Sequence, residues 1–368
     1  MFSRSLSFLA GRCLLLAALA AASCTDSSPA TPAAADAGTP ADAAAAGGTA
    51  GYSPFLQANL QNQLVRVAGF HTIQSLRKSA DFKAEAFGGT CAKWNAAGTA
   101  PTDPTRIASL YVESAELQTK VKARKDAHAH NKDAALGLAI DASVCGAIEA
   151  GGLAGSVARK AVGSIDWHAQ VVDKGLQHFF YLSLYHYLVA GTRKGYDEGV
   201  GYFGRALDGS TDAKGVAATV KARDENCGTA HAAAIWDLLK MGRAELDKTL
   251  LAAGKTGNED AVPLSAASLD IAADIDRRLL HVLALSLGRE LLELQKGTDP
   301  AIKLIEARMF WRMLRPHVAA HDAAKGTKLA ADLDARLQQD EPGKVEPAVG
   351  LAAIQTVFGL DVAKLCTK

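Results

Sequence analysis

From Pro54 onward the apolar side chains recur at helical spacing nearly throughout, and this periodicity leaves little room for any other secondary structure. Leu56, Leu60, Leu64 and Val67 form one such stripe, and Leu110, Leu117 and Val121 another. Alternating β-branched runs are missing and alanine is abundant, so strand signals are poor. The pattern predicts helices near 54–69, 105–127, 132–150, 165–191, 196–207, 214–252, 265–296, 300–322, 326–339 and 346–358. Breaks fall at Gly151-Gly152, Gly191, Gly254 to Pro263, Gly297 to Pro300 and Glu341 to Pro347. The helix from Ser265 is the most buried candidate, because only His281 and Ser286 are polar between Leu279 and Leu287. The fold expected is an all-α helical bundle with several long helices and no significant sheet.

The first 51 residues have a different composition. Arg4 and Arg12 precede an apolar run, LLLAALAAAS, that closes on Cys24. A tract of Ala, Pro, Thr, Asp, Ser and Gly follows, too poor in large apolar groups to offset the entropy of ordering. A basic start, an apolar stretch and small residues before a cysteine resemble a bacterial lipoprotein signal, although Ala21 stands where Leu is usual. That resemblance implies a signal peptide over 1–23, lipidation of Cys24 and a tether over 24–51. One helical domain over 52–368 would then face the periplasm or the cell surface. Ordinary secretion with cleavage nearby is the alternative. One lipid chain binds a membrane only marginally, so a stable anchor needs the multiple acylation that lipoproteins receive.

Removing signal and tether leaves roughly 315 residues, enough for a sizeable core. The formal net charge is +1, so no strong field points to nucleic acid. No second apolar run reaches the roughly 18 residues needed to span a bilayer. Cys91, Cys145, Cys227 and Cys366 remain, an even set in an oxidising compartment, where disulfides are expected. Three pairings stay open.

A faint duplication runs through the helical part. Asp173-Lys174-Gly175-Leu176-Gln177-His178, then Leu182-Ser183-Leu184, is echoed by Asp276-Arg277-Arg278-Leu279-Leu280-His281, then Leu285-Ser286-Leu287. Lys194-Gly195-Tyr196-Asp197 matches Lys296-Gly297-Thr298-Asp299. Glu198, Tyr202 and Phe203 share their spacing with Glu306, Phe310 and Trp311, and Val121-Lys122-Ala123-Arg124 echoes Val220-Lys221-Ala222-Arg223. Two pseudo-repeated units are expected, roughly 105–207 and 214–322.

The segment Tyr196-Asp197-Glu198-Gly199-Val200-Gly201-Tyr202-Phe203-Gly204 resembles a Trp-Asp-Glu-Ala-Phe-Gly-Tyr-Phe-Gly motif. That motif marks uncharacterised helical bacterial lipoproteins similar to the imelysins. The resemblance implies an exported protein of two related helical bundles associated with iron uptake; a peptidase activity has also been ascribed to such proteins. Tyr196, Gly199 and Val200 depart from the motif. The imelysin Gly-x-His-x-x-Glu motif is absent, its nearest counterpart being Gly175, His178 and Tyr181.

His178 lies on a helical stripe with Lys174, Tyr181 and Tyr185, and His281 in a still more apolar helix. A buried neutral histidine must hydrogen-bond through both nitrogens, so each is either a satisfied core residue or a ligand. The functional reading pairs His178 with Glu198 and His281 with Glu306, binding iron, zinc or a small polar ligand between the two units. Asp197 joins this set by position, although a helix-start acid is explained by capping alone. His317 and His321 have a metal-compatible spacing, yet Asp322 and Lys325 suggest a solvated helix end. His128 and His130 sit in a basic stretch, and on a helix an interval of two would put them on different faces. That stretch reads as a wet face that could meet lipid headgroups. No phosphate loop, Gly-x-Ser-x-Gly elbow or Ser-x-x-Lys pattern stands in a plausible context. The leading expectation is a lipid-anchored binding protein; a metal-assisted hydrolase and a ligand-free envelope scaffold are the alternatives.

Overall fold

Capping side chains and a proline set where four of the long helices begin. Ser164 accepts from the Trp167 amide to start one, Thr192 from Gly195 to start the next, and Ser265 from Ser268 to start the longest. Pro300 occupies the first turn of another, where its missing N–H is harmless. The computed structural model describes residues 51–96, 100–131, 133–207, 212–322, 324–339 and 341–366. Cys24, the signal and most of the tether lie outside the described residues.

The helices in chain order are α1 (Gln61–Lys78), α2 (Ile107–Glu113), α3 (Leu117–Ala123), α4 (Leu136–Leu153), α5 (Ile165–Leu188), α6 (Arg193–Phe203) and α7 (Gly215–Cys227). They continue with α8 (His231–Ala252), α9 (Ala266–Gln295), α10 (Pro300–His321), α11 (Lys325–Leu337), α12 (Pro347–Phe358) and α13 (Val362–Leu365). Among the described residues there is no strand, only one isolated antiparallel bridge between Arg205 and Ala213. The protein is all-α.

Helix α5 is the centre of the bundle. It packs on α4, α6 and α10, while α9 packs on α8, α10 and α12. Leu176, Phe179, Phe180 and Leu184 of α5 are buried, and the Phe180 ring stacks on Phe70 of α1 with centroids 5.0 Å apart. Two disulfides staple the bundle: Cys91 to Cys145 and Cys227 to Cys366.

Two expected helices are broken. The 214–252 segment divides at Gly228, whose φ of 65° is a left-handed helix end suited to glycine. The 105–127 segment divides between α2 and α3, where Ala115 and Glu116 have φ of 44° and 58°. Arg66 holds this strained corner, donating from Nε to the Ala115 carbonyl at 2.8 Å and from Nη1 to the Tyr202 hydroxyl at 2.9 Å.

Asp173 of α5 is completely buried and carries its charge. The Arg77 guanidinium lies 2.5 Å away and the Lys174 ammonium 3.1 Å, and Gln74 donates at 2.8 Å. Burial alone would raise its pKa, but Arg77 and Lys174 outweigh it and hold the carboxyl far below its usual range. Asp173→Asn strands two cations and should cost about 3 kcal/mol or more in denaturant unfolding at pH 7. Because the folded pKa is depressed, the wild-type advantage is present above about pH 4 and shrinks as pH falls below it.

Candidate metal centre

The loop between α3 and α4 brings a histidine to the side of α5. Gly137, in the first turn of α4, fixes the position of that loop. A Cβ there would lie 2.4 to 2.8 Å from the carbonyl oxygens of Val121, Arg124 and Lys122, so only glycine permits the approach. Within the loop, Asp126 accepts from the His128 amide at 2.9 Å and from Asn131 Nδ2 at 2.7 Å. Its Oδ1 also lies 2.5 Å from His128 Nδ1. The imidazole is thereby oriented with Nε2 pointing at α9.

Three further elements converge on that nitrogen. Asp276 of α9 places Oδ1 3.1 Å from His128 Nε2. Tyr181 of α5 donates to the same Oδ1 at 2.8 Å, and its hydroxyl lies 3.4 Å from His128 Nε2. His317 of α10 contributes Nε2 at 3.3 Å from that hydroxyl. His317 follows Pro316, whose ring leaves the Arg312 carbonyl without its helical donor. The ligand atoms of His128, Asp276 and His317 all lie within 4.8 Å of one another. Tyr185 stacks on His128 at 3.9 Å between centroids, and the exposed His130 meets His317 edge-on at 4.6 Å.

The electrostatics favour a cation here. Burial would lower the His128 pKa, but hydrogen bonds to Asp126 and Asp276 overcome it and lift the group to about 9. Burial, followed by the charge on His128, takes His317 down to about 3. Tyr181 is raised well above the usual phenol range, first by burial and then by Asp276. One imidazole thus holds a proton between two carboxylates while its neighbour stays neutral, a free base able to ligate. A metal ion can take the place of that proton.

The residues singled out in the sequence have separate surroundings. His178 is buried one turn from Tyr181; burial lowers it to about 4, and its charged neighbours are Asp126 and Arg312. His281 is half-buried beside His231 and Phe358, and burial followed by His231 lowers it to about 4. Asp197 is no helix cap, since Thr192 caps α6. It sits inside the helix and accepts from the Tyr52 hydroxyl at 2.9 Å, the Phe55 and Leu56 amides at 3.1 and 3.0 Å, and Asn59 Nδ2 at 2.9 Å. Glu198 beside it is buried near Tyr187. Glu306 belongs to a lysine–carboxylate cluster: Lys303 Nζ lies 3.1 Å from it and 2.6 Å from Glu290, and Lys174 Nζ lies 4.0 Å away.

The centre draws instead on residues the sequence placed elsewhere. His128 and His130 lie in a loop, where an interval of two does not separate them as it would on a helix. His317 faces inward while His321 is exposed at the end of α10. The α5 stripe of Lys174, His178, Tyr181 and Tyr185 was a usable signal, because Tyr181 and Tyr185 both touch the centre.

Comparison with known proteins gives no matching family model, no matching curated protein and no matching solved structure. A cleft of about 520 Å³ lies elsewhere, lined by Trp94, Arg106, Glu149 and Leu153.

Glu290 supplies a test of the neighbouring cluster. Burial first, then the charge of Glu306, pushes it up to about 7. A raised folded pKa means the stabilisation is full below about pH 4.3, and is lost as pH rises through 7. Glu290→Gln should remove this slope and be the more stable protein at pH 8, by on the order of 1 kcal/mol. Identical pH profiles of unfolding free energy for the two proteins would contradict the assignment.

Proposed function

We propose that this chain is an exported helical binding protein that holds one metal ion through His128 Nε2, Asp276 Oδ1 and His317 Nε2. The observation that carries the reading is the convergence of those three ligand atoms within 4.8 Å, contributed by three separate elements. Asp126 adds independent support, since a carboxylate on the far nitrogen of a ligating histidine fixes its tautomer and strengthens its basicity. Two imidazoles with one carboxylate suit zinc or iron. In this reading the arrangement captures a cation.

Export and anchoring belong to the same proposal. Cys24 would carry the lipid, and the tether would leave the bundle facing the periplasm or the outside of the cell. The two-unit, imelysin-like layout is proposed with it. In its favour, α4, α5 and α6 pack consecutively, as do α8, α9 and α10, and Asp173 and Asp276 hold corresponding places in the sequence echo.

Protein purified without added metal should carry close to one equivalent of zinc or iron by elemental analysis. Stripped protein should regain stability on adding the ion, by about 2.7 kcal/mol at a hundredfold excess over Kd. His317→Ala removes a neutral ligand without unpairing a buried charge, so it should fold and lose both effects. Absence of bound metal, with no thermal shift for zinc or iron, would remove the proposal.

A further inference from the structure

We infer that Tyr181 is a fourth ligand and that the ion it helps to hold is a trivalent, hard cation bound through the phenolate. This rests on the reading of His128, Asp276 and His317 as metal ligands.

The geometry of the donors carries the inference. Metal bonds of about 2.1 Å set donor–donor edges near 3.0 Å in an octahedron and near 3.4 Å in a tetrahedron. The Tyr181 oxygen lies 2.8 Å from Asp276 Oδ1, 3.4 Å from His128 Nε2 and 3.3 Å from His317 Nε2. It therefore stands at an edge length from every other donor. His128 Nε2 and Asp276 Oδ1 make one more such edge at 3.1 Å. The three donors span up to 4.8 Å, and the Tyr181 oxygen lies within 3.4 Å of each of them.

Chemistry then selects the ion. A neutral phenol is a feeble ligand, whereas a phenolate is a hard anionic oxygen, and a buried phenolate needs a strong Lewis acid beside it. Binding breaks the Tyr181 O–H and the His128 Nε2–H bonds, sends both protons to solvent and forms an oxygen–metal and a nitrogen–metal bond in their place, leaving the imidazole neutral. Asp126, Asp276 and the phenolate then carry three negative charges, which a trivalent ion balances inside the bundle. Tyr185 packs its ring face on His128, so it shapes the site without ligating.

The test uses ferric nitrilotriacetate and zinc chloride as probes of the purified, metal-free chain. Ferric ion should bind with a visible phenolate-to-metal charge-transfer band, and resonance Raman excitation within it should show tyrosinate ring modes in the unmodified protein. Tyr181→Phe should abolish the band and weaken ferric binding at least about tenfold, with zinc binding changed far less. Tyr185→Phe should keep the band. Ferric ion bound without tyrosinate modes would overturn the inference, as would tight zinc binding with no ferric binding. In both cases the three-ligand site survives. Binding of neither ion overturns the site as well.

Discussion

Helix α5 has almost no side left for water, and the polar groups along it must find partners within the bundle. This constraint organises the rest. Asp173 draws Arg77 from α1, and Lys174 reaches towards Glu306 of α10. Two turns further on, Tyr181 collects Asp276, His317 and His128 from three other elements. A tyrosine hydroxyl at that depth without partners would carry the full cost of desolvation. The polar spine of one apolar helix thus fixes how its neighbours are placed.

The cluster around Tyr181 differs in kind from the one around Asp173. Asp173 is satisfied by cations, and the result is a closed internal ion pair. Around the Tyr181 phenol stand two acids and two imidazoles, in which one proton serves two carboxylates. Such a group is held together by something positive, and a metal ion does this better than a proton because it bonds several donors at once. The difference between the two clusters is one of donor type, since both lie at comparable depth.

Much of the fold was legible in the sequence. Helices α5, α9, α10, α11 and α12 begin and end within a few residues of where Ser164, Ser265, Pro300 and the glycine breaks put them. The corner at Ala115 and Glu116 was not legible, because neither residue favours a left-handed backbone and Arg66, which holds it, is far away in sequence. The site was hidden for a related reason. His128, Asp276 and His317 are scattered along the chain, and only tertiary packing brings them together. His178 shares the α5 stripe, and the residue of that stripe that meets His128 and Asp276 is Tyr181, one turn further on. The disulfide pairing was equally a matter of tertiary distance.

The two covalent links divide the donors between them. The ring closed by Cys91 and Cys145 contains Asp126 and His128, and the ring closed by Cys227 and Cys366 contains Asp276 and His317; Tyr181 lies in neither. Each half of the ligand set is therefore laced by its own sulfur bridge and meets the other across a helix belonging to no loop. Reducing one bridge would slacken one half of the donors and leave the other laced, so the convergence of all of them depends on both sulfur bonds staying oxidised.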